Sequence, residues 1–262
     1  NMLAGGSVDE FQRTFSSKYL RNFDSPVYNN YDNINWYLAN YPYWGMGELA
    51  IRVMYDLMEN NAIPIAGING SFGGANIEYL TANNPNNKYD INYTYGRLMQ
   101  RIKKSGQSNK IKAFVFFQGE AEAGNWDPTC IEYPNNWKMF YNKIISDIPS
   151  IKKFYEIQIN VMSSQIQIEK AGYLRDFQRR TKELYFPKVE ILTGIGLSPY
   201  YGVHYGLESY KSIAKNLFNM INRDFYSGES FPYFEHPNIQ EAYYNTSRDT
   251  VFIEFQHGQK IK

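Results

Sequence analysis

The chain has 262 residues, a formal net charge of +1, and is 43% hydrophobic and 20% charged. That length suits one large α/β domain, or one domain with a small appendage, and the near-neutral charge removes any global electrostatic case for nucleic acid or an acidic membrane surface. Cys130 is the only cysteine, which excludes an intrachain disulfide and argues against a cysteine-based zinc site.

Taken in chain order, the segment 22–43 is rich in Asn, Asp, Tyr and Pro and has no clear periodicity. It reads as an irregular insertion, with Trp36 and Trp44 as candidate anchors. From Gly47 onward, helix-like and strand-like segments alternate. Glu48 to Asn60 places Leu49, Ala50, Val53, Met54, Leu57 and Met58 on one helical stripe. Ile63 to Ile68 is a short apolar run between turn formers and reads as a buried strand. The loop Asn69-Gly70-Ser71-Phe72-Gly73-Gly74 leads to a short helix over 76–81. Further helices are expected over 97–104, 136–147, 171–184 and 207–223, and strands over 111–117, 154–161 and 189–193. Past Tyr226 the pattern changes: 231–234 and 250–255 read as strands of a separate β element, the last with no partner in view. No run of about 18 apolar residues is present, so no transmembrane helix is expected. No signal peptide is visible.

Short strands separated by helices of ten or more residues imply βαβ units, and hence a mostly parallel sheet covered on both faces. Ligands of such sheets sit at the carboxyl ends of the strands. Three distant loops fall there: Gly70 to Gly74, Gln118 to Glu120, and the loop holding His204. The chain has three histidines, and His236 and His257 lie in the terminal β segment. His204 is therefore the best base candidate, since imidazole titrates near ~6.5 and can accept and return a proton at neutral pH. Gln118 offers neutral N–H donors, and Gly73 and Gly74 let a backbone N–H approach a substrate oxygen. Glu120 and Glu122 make a poor glycosidase pair, being in one loop; Glu120 reads better as a brace of the loop or as a group that polarises a neighbour. Arg175, Arg179 and Arg180 read as a solvated helix face, although one of them could meet a sugar carboxylate. Ser71 resembles an elbow nucleophile, but Asn69 stands where that pattern wants Gly; Ser7 is a weaker alternative. Aromatic residues are abundant, with 24 Tyr, 17 Phe and 4 Trp. They suit carbohydrate contact, yet most of the tyrosines read as compositional drift toward Tyr, Asn, Ile and Lys.

These segments, in this order, resemble the SGNH hydrolase superfamily, and within it the sialate O-acetylesterase-like branch of carbohydrate esterases. Its first block reads Gly-Gln-Ser-Asn-Met, and Asn1-Met2 matches the last two residues. Its second resembles Ile63 to Ile68 followed by Gly73-Gly74-Ala75-Asn76-Ile77-Glu78, and its third resembles Phe117-Gln118-Gly119-Glu120-Ala121-Glu122. Its last, usually Asp-x-x-His, reads Tyr201-Gly202-Val203-His204 here. The segment Pro237 to Ala242 resembles the β region that comes after the hydrolase core in this branch. The resemblance implies a three-layer α/β/α, flavodoxin-like fold with a mostly parallel sheet and a short C-terminal β segment. Residues 1–225 are then the esterase domain, starting inside its first motif, and 226–262 begin a C-terminal β element.

It implies a serine esterase that removes O-acetyl groups from carbohydrates, sialic acid being one candidate. The nucleophile is expected just upstream of Asn1, so 1–262 alone is expected to be inactive or nearly so. His204 would be base, Gly73 or Gly74 with Gln118 the oxyanion donors, and Asn1 and Glu120 supporting residues. Tyr201 in place of Asp puts efficiency in doubt more than activity. The resemblance implies no metal and no cofactor, an acetylated carbohydrate partner, no nucleic acid, no membrane insertion and a place in a larger polypeptide or assembly. It fits a secreted, periplasmic or surface location better than a cytoplasmic one. The rival class is an inactive esterase fold kept for glycan binding or structural assembly, as in a surface or virion protein.

Overall fold

The computed structural model describes residues 18–24, 34–39, 47–124, 129–162, 168–185, 187–228 and 237–257. Its strands are β1 Leu20–Asp24, β2 Asn35–Leu38, β3 Ile65–Ile68, β4 Ala113–Phe117, β5 Lys153–Gln158, β6 Val189–Thr193, β7 Ile239–Tyr244 and β8 Val251–Phe255. Its helices are α1 Glu48–Asn61, α2 Ile77–Thr81, α3 Thr94–Lys104, α4 Glu120–Ala123, α5 Thr129–Asp147, α6 Ile168–Leu184 and α7 Leu207–Asn222, the last continued by a π turn over Arg223–Ser227.

Strands β4, β5 and β6 are parallel neighbours, β1 and β3 are parallel, and β2 joins β1 antiparallel. Period-two alternation divides β5 between the two helical layers. Tyr155 and Ile157 enter the core made with α1 (Leu49, Val53, Leu57) and α7 (Ile213, Leu217, Ile221). Phe154 points the other way, into an aromatic core with Trp137 and Tyr141 of α5 and Leu174 of α6. There Phe154 stacks on Phe114 with centroids 5.1 Å apart, and Trp137 stacks on Tyr141, also at 5.1 Å. The result is an α/β/α arrangement, with the expected strand-to-helix order retained.

Four expectations need correction. The segment 22–43 is not wholly irregular: β1 and β2 lie at its start and within it, held by buried Leu20 and Phe23 and by the Phe23–Trp36 edge contact at 4.9 Å. Their polar composition, including buried Asn22, concealed them. Among the described residues the parallel strands fall into two ladders, not one, β1 with β3 (edged by antiparallel β2) and β4 with β5 and β6, because β3 and β4 do not pair. The residues of both strands are mostly half-exposed, whereas β5 is almost wholly buried. Helix α5 begins at Thr129 and runs through Pro134, seven residues before the expected start. Pro134 lies inside the helix, where it withholds one backbone N–H and disfavours a helical conformation at the residue before it, which is why the expected start falls after it. Finally, β8 does have a partner, pairing antiparallel with β7. The segments around Trp44, Phe231 to Phe234 and His236 lie outside the described residues.

Candidate active site

Strand β4 ends at Phe117, and the chain then turns sharply. Gly119 adopts φ +134°, and a Cβ there would stand 3.1 Å from both Gln178 Nε2 and Leu174 Cδ2 of α6. Only glycine meets both demands. The turn leaves Gln118 buried and held on several sides. Its carbonyl accepts from Gln178 Nε2 at 2.8 Å and from the Tyr133 hydroxyl at 3.2 Å. Its side-chain Nε2 donates to Glu122 Oε2 at 2.5 Å and, more loosely, to the Ala75 carbonyl at 3.3 Å. Its Oε1 is buried with no partner among the described residues.

Glu122, not Glu120, is the brace. Its carboxylate is buried, and Oε1 accepts the Ile77 N–H at 2.6 Å while Oε2 takes Gln118. One carboxylate thus joins the start of α2, directly after Gly73 and Gly74, to the end of β4. Burial raises the Glu122 pKa, and these two donors offset part of that rise. Glu122→Ala leaves two buried donors unmatched, at about 1–3 kcal/mol each. The expected result is a drop of several kcal/mol in unfolding free energy by urea titration; an unchanged midpoint would show the brace to be dispensable.

Gly73 and Gly74 are exposed in the loop after β3, Gly74 at φ +72°, and neither N–H donates to a described residue. The short helix α2 is capped by Asn76, whose side chain accepts the Tyr79 N–H at 2.8 Å. Ser71 is committed elsewhere: its hydroxyl donates to Asn69 Oδ1 at 2.7 Å, and its N–H to the same oxygen at 2.9 Å, a local Asx turn. Asn1 and Ser7 lie outside the described residues.

His204 sits in a tight turn between β6 and α7. Tyr201 N donates to the His204 carbonyl at 2.8 Å, with Gly202 at φ +87° making the reversal. The Pro199 carbonyl anchors this turn to α7 by accepting from Gly206 N at 2.7 Å and Ser209 Oγ at 2.9 Å. The imidazole is half-buried, and burial lowers its pKa below the ordinary value. Among the described residues no side chain hydrogen-bonds to the ring. Tyr201 turns outward at 66% exposure, so it does not take the place of an orienting aspartate.

Glu120 links this turn to the β4 loop. Burial pushes its carboxyl up to about 7, with the neighbouring Glu122 charge adding to the rise. It acts in turn on tyrosines of the His204 turn and α7: burial, with the Glu120 charge contributing, pushes Tyr200 and Tyr210 up to about 12 each. The structure therefore brings Gln118, Glu120 and the loop of Gly73 and Gly74 together, with the His204 turn beside Glu120. Sequence reasoning passed over Gln178 and assigned the brace to the wrong carboxylate. The usable signal for Gln178 was its place in the stripe Ala171, Leu174, Gln178, Thr181: a polar residue on a buried helix face needs a partner. Among the described residues, no cluster of three or more His, Cys, Asp or Glu could hold a metal ion, and no helix is long and apolar enough to cross a membrane.

Several solved structures are similar, among them the following two. A protein from Arabidopsis thaliana superposes with a TM-score of 0.65 at 15% identity, over 85% of this chain and 87% of that one. A carbohydrate acetylesterase from Xanthomonas citri gives 0.68 at 15% identity, over 91% of this chain and 55% of that one, so the present chain spans about half of that protein. At this identity the two likenesses show a shared fold. No curated protein sequence matches the chain. A family model described as carbohydrate esterase, sialic acid-specific acetylesterase, matches residues 3–223, and the chain belongs to that family.

Proposed function

We propose that the polypeptide containing this chain removes O-acetyl groups from carbohydrates by acyl transfer to serine. The observation that carries the reading is the convergence of the loop of Gly73 and Gly74, the Gln118–Glu122 corner and the His204 turn at the carboxyl ends of β3, β4 and β6. The serine is the residue that the Gly-Gln-Ser-Asn-Met resemblance puts immediately before Asn1. Its oxygen attacks the acetyl carbon while His204 takes the proton. The bond to the sugar oxygen then breaks, and His204 returns the proton to that oxygen. Water hydrolyses the acyl-enzyme by the same exchange. The developing oxyanion is held by the N–H of Gly73 or Gly74 and by Gln118. Of the two Gln118 N–H groups, the one loosely held by Ala75 is free to turn to substrate, while Glu122 keeps the other. Sialic acid is a fitting sugar, since the matched family is described by it. We assign residues 1–225 to the esterase unit and 226–262 to the start of a β element.

The test is acetate release from O-acetylated sialic acid and acetylated xylan by the polypeptide extended upstream of Asn1. Release would support the reading, and the absence of release from a folded protein would sink it. Two observations favour a second reading, a glycan-binding module without turnover: the His204 ring has no hydrogen-bond partner among the described residues, and Tyr201 turns outward. Binding of acetylated glycan with no acetate release would select it.

A further inference from the structure

Arginines 175, 179 and 180 share α6 but not a role. Arg179 and Arg180 pair with Asp176 at 2.7 and 3.8 Å on the outer face. Among the described residues the Arg175 guanidinium has neither an ion pair nor a hydrogen bond, and its Nη1 is buried without an acceptor. A buried, unpaired charge is costly unless something answers it. Its position is fixed by the site: Gln158 Nε2, at the carboxyl end of β5, donates to the Arg175 carbonyl at 2.8 Å. Leu174 and Gln178, on either side of it along α6, are the residues that crowd Gly119. Tyr200, in the turn that carries His204, is within electrostatic reach of both Arg175 and Glu120. The Tyr200 hydroxyl is also buried with no partner among the described residues, its ring packed on Tyr205 at 5.0 Å. A cationic fork and a hydroxyl, both unmatched, thus lie beside the proposed esterase centre.

We propose that Arg175 and Tyr200 form a carboxylate-recognition subsite that selects acidic acetylated sugars over neutral ones. The inference rests on the esterase reading for its location, but it concerns binding and not turnover. A planar carboxylate accepts two N–H bonds from a guanidinium fork and one from the tyrosine hydroxyl; an ester of the same shape carries no charge to match.

The experiment compares binding of O-acetylated sialic acid and its carboxyl methyl ester to the protein by titration calorimetry. The wild type is expected to prefer the acid by about tenfold or more, as hydrogen bonds to a charged group are worth. Arg175→Met should bring the acid down to the level of the ester, and Arg175→Lys should fall between, with thermal unfolding confirming that each variant is folded. Tyr200→Phe should weaken the acid by a few-fold and leave the ester unchanged. Equal binding of acid and ester to wild type, a preference that survives in Arg175→Met, or no binding of the acid would each overturn the subsite. Acetate release from neutral acetylated xylan by the extended polypeptide separates the two readings. If it occurs while acid and ester bind equally, the esterase stands and the subsite falls.

Discussion

In the polypeptide extended upstream of Asn1, His204→Ala is expected to lower acetate release on the order of 10³- to 10⁶-fold. No other described histidine can take over. His257 lies just past the end of β8, in the terminal β segment. The pH profile carries a second signature. The base must be neutral to accept a proton, and burial lowers the His204 pKa. The acidic limb of kcat/KM should therefore fall below the ordinary imidazole value of about 6.5. Activity that persists in His204→Ala, or a limb displaced upward, would remove His204 from the mechanism. The variant is expected to fold, since the turn is held by the backbone bonds at Pro199 and Tyr201 and not by the imidazole.

The second large effect is on stability. Glu156 should make the protein lose stability steadily as pH rises from about 4.5 to about 8. Its side chain alternates with Tyr155 and Ile157 along β5, so it follows Phe154 onto the aromatic face and is fully buried. Burial pushes its carboxyl up to about 8. The Trp137 indole and the Thr181 hydroxyl approach and offset part of this, yet among the described residues neither carboxyl oxygen completes a hydrogen bond. Thr181 Oγ1 instead donates to the Gln178 carbonyl at 2.8 Å. Between the two pKa values the unfolded chain has released this proton and the folded chain has kept it. The unfolded state then binds fewer protons, so stability falls with rising pH and levels off above about 8. A carboxyl raised from 4.5 to about 8 accounts for at most roughly 5 kcal/mol. Glu156→Gln should abolish this slope, and Glu156→Leu should do so while also removing the unmatched oxygens. Urea unfolding at pH 5, 7 and 9 reads the effect. A wild-type slope retained in both variants would place its origin elsewhere.

Much of this organisation was legible in one dimension because its causes are local. The stripe of α1, the β-branched and aromatic run of β4 and the apolar run of β6 each carry their period within a few residues, and their helix or strand character follows from that alone. The segments holding Gln118 and His204 each follow a strand of that kind, so they could be placed at one end of the parallel strands. The resemblance to carbohydrate esterases rested on those same loops, and the family match supports it. Strands β1 and β2 were hidden because a strand of four or five residues, with a buried Asn inside it, is specified by its neighbours more than by its own composition.

The alternation of elements and the identity of the loops that meet were determined by the sequence alone, since periodicity and turn chemistry act between residues close in the chain. Only the tertiary structure decided which side chains are matched and which are not. Glu122 reaches Ile77 across 45 residues, Gln178 reaches Gln118 across 60, Arg179 finds an aspartate and Arg175 finds nothing among the described residues. Hydrogen bonding and charge pairing depend on distances of about 3 Å between groups remote in sequence, and those distances exist only once the layers have packed.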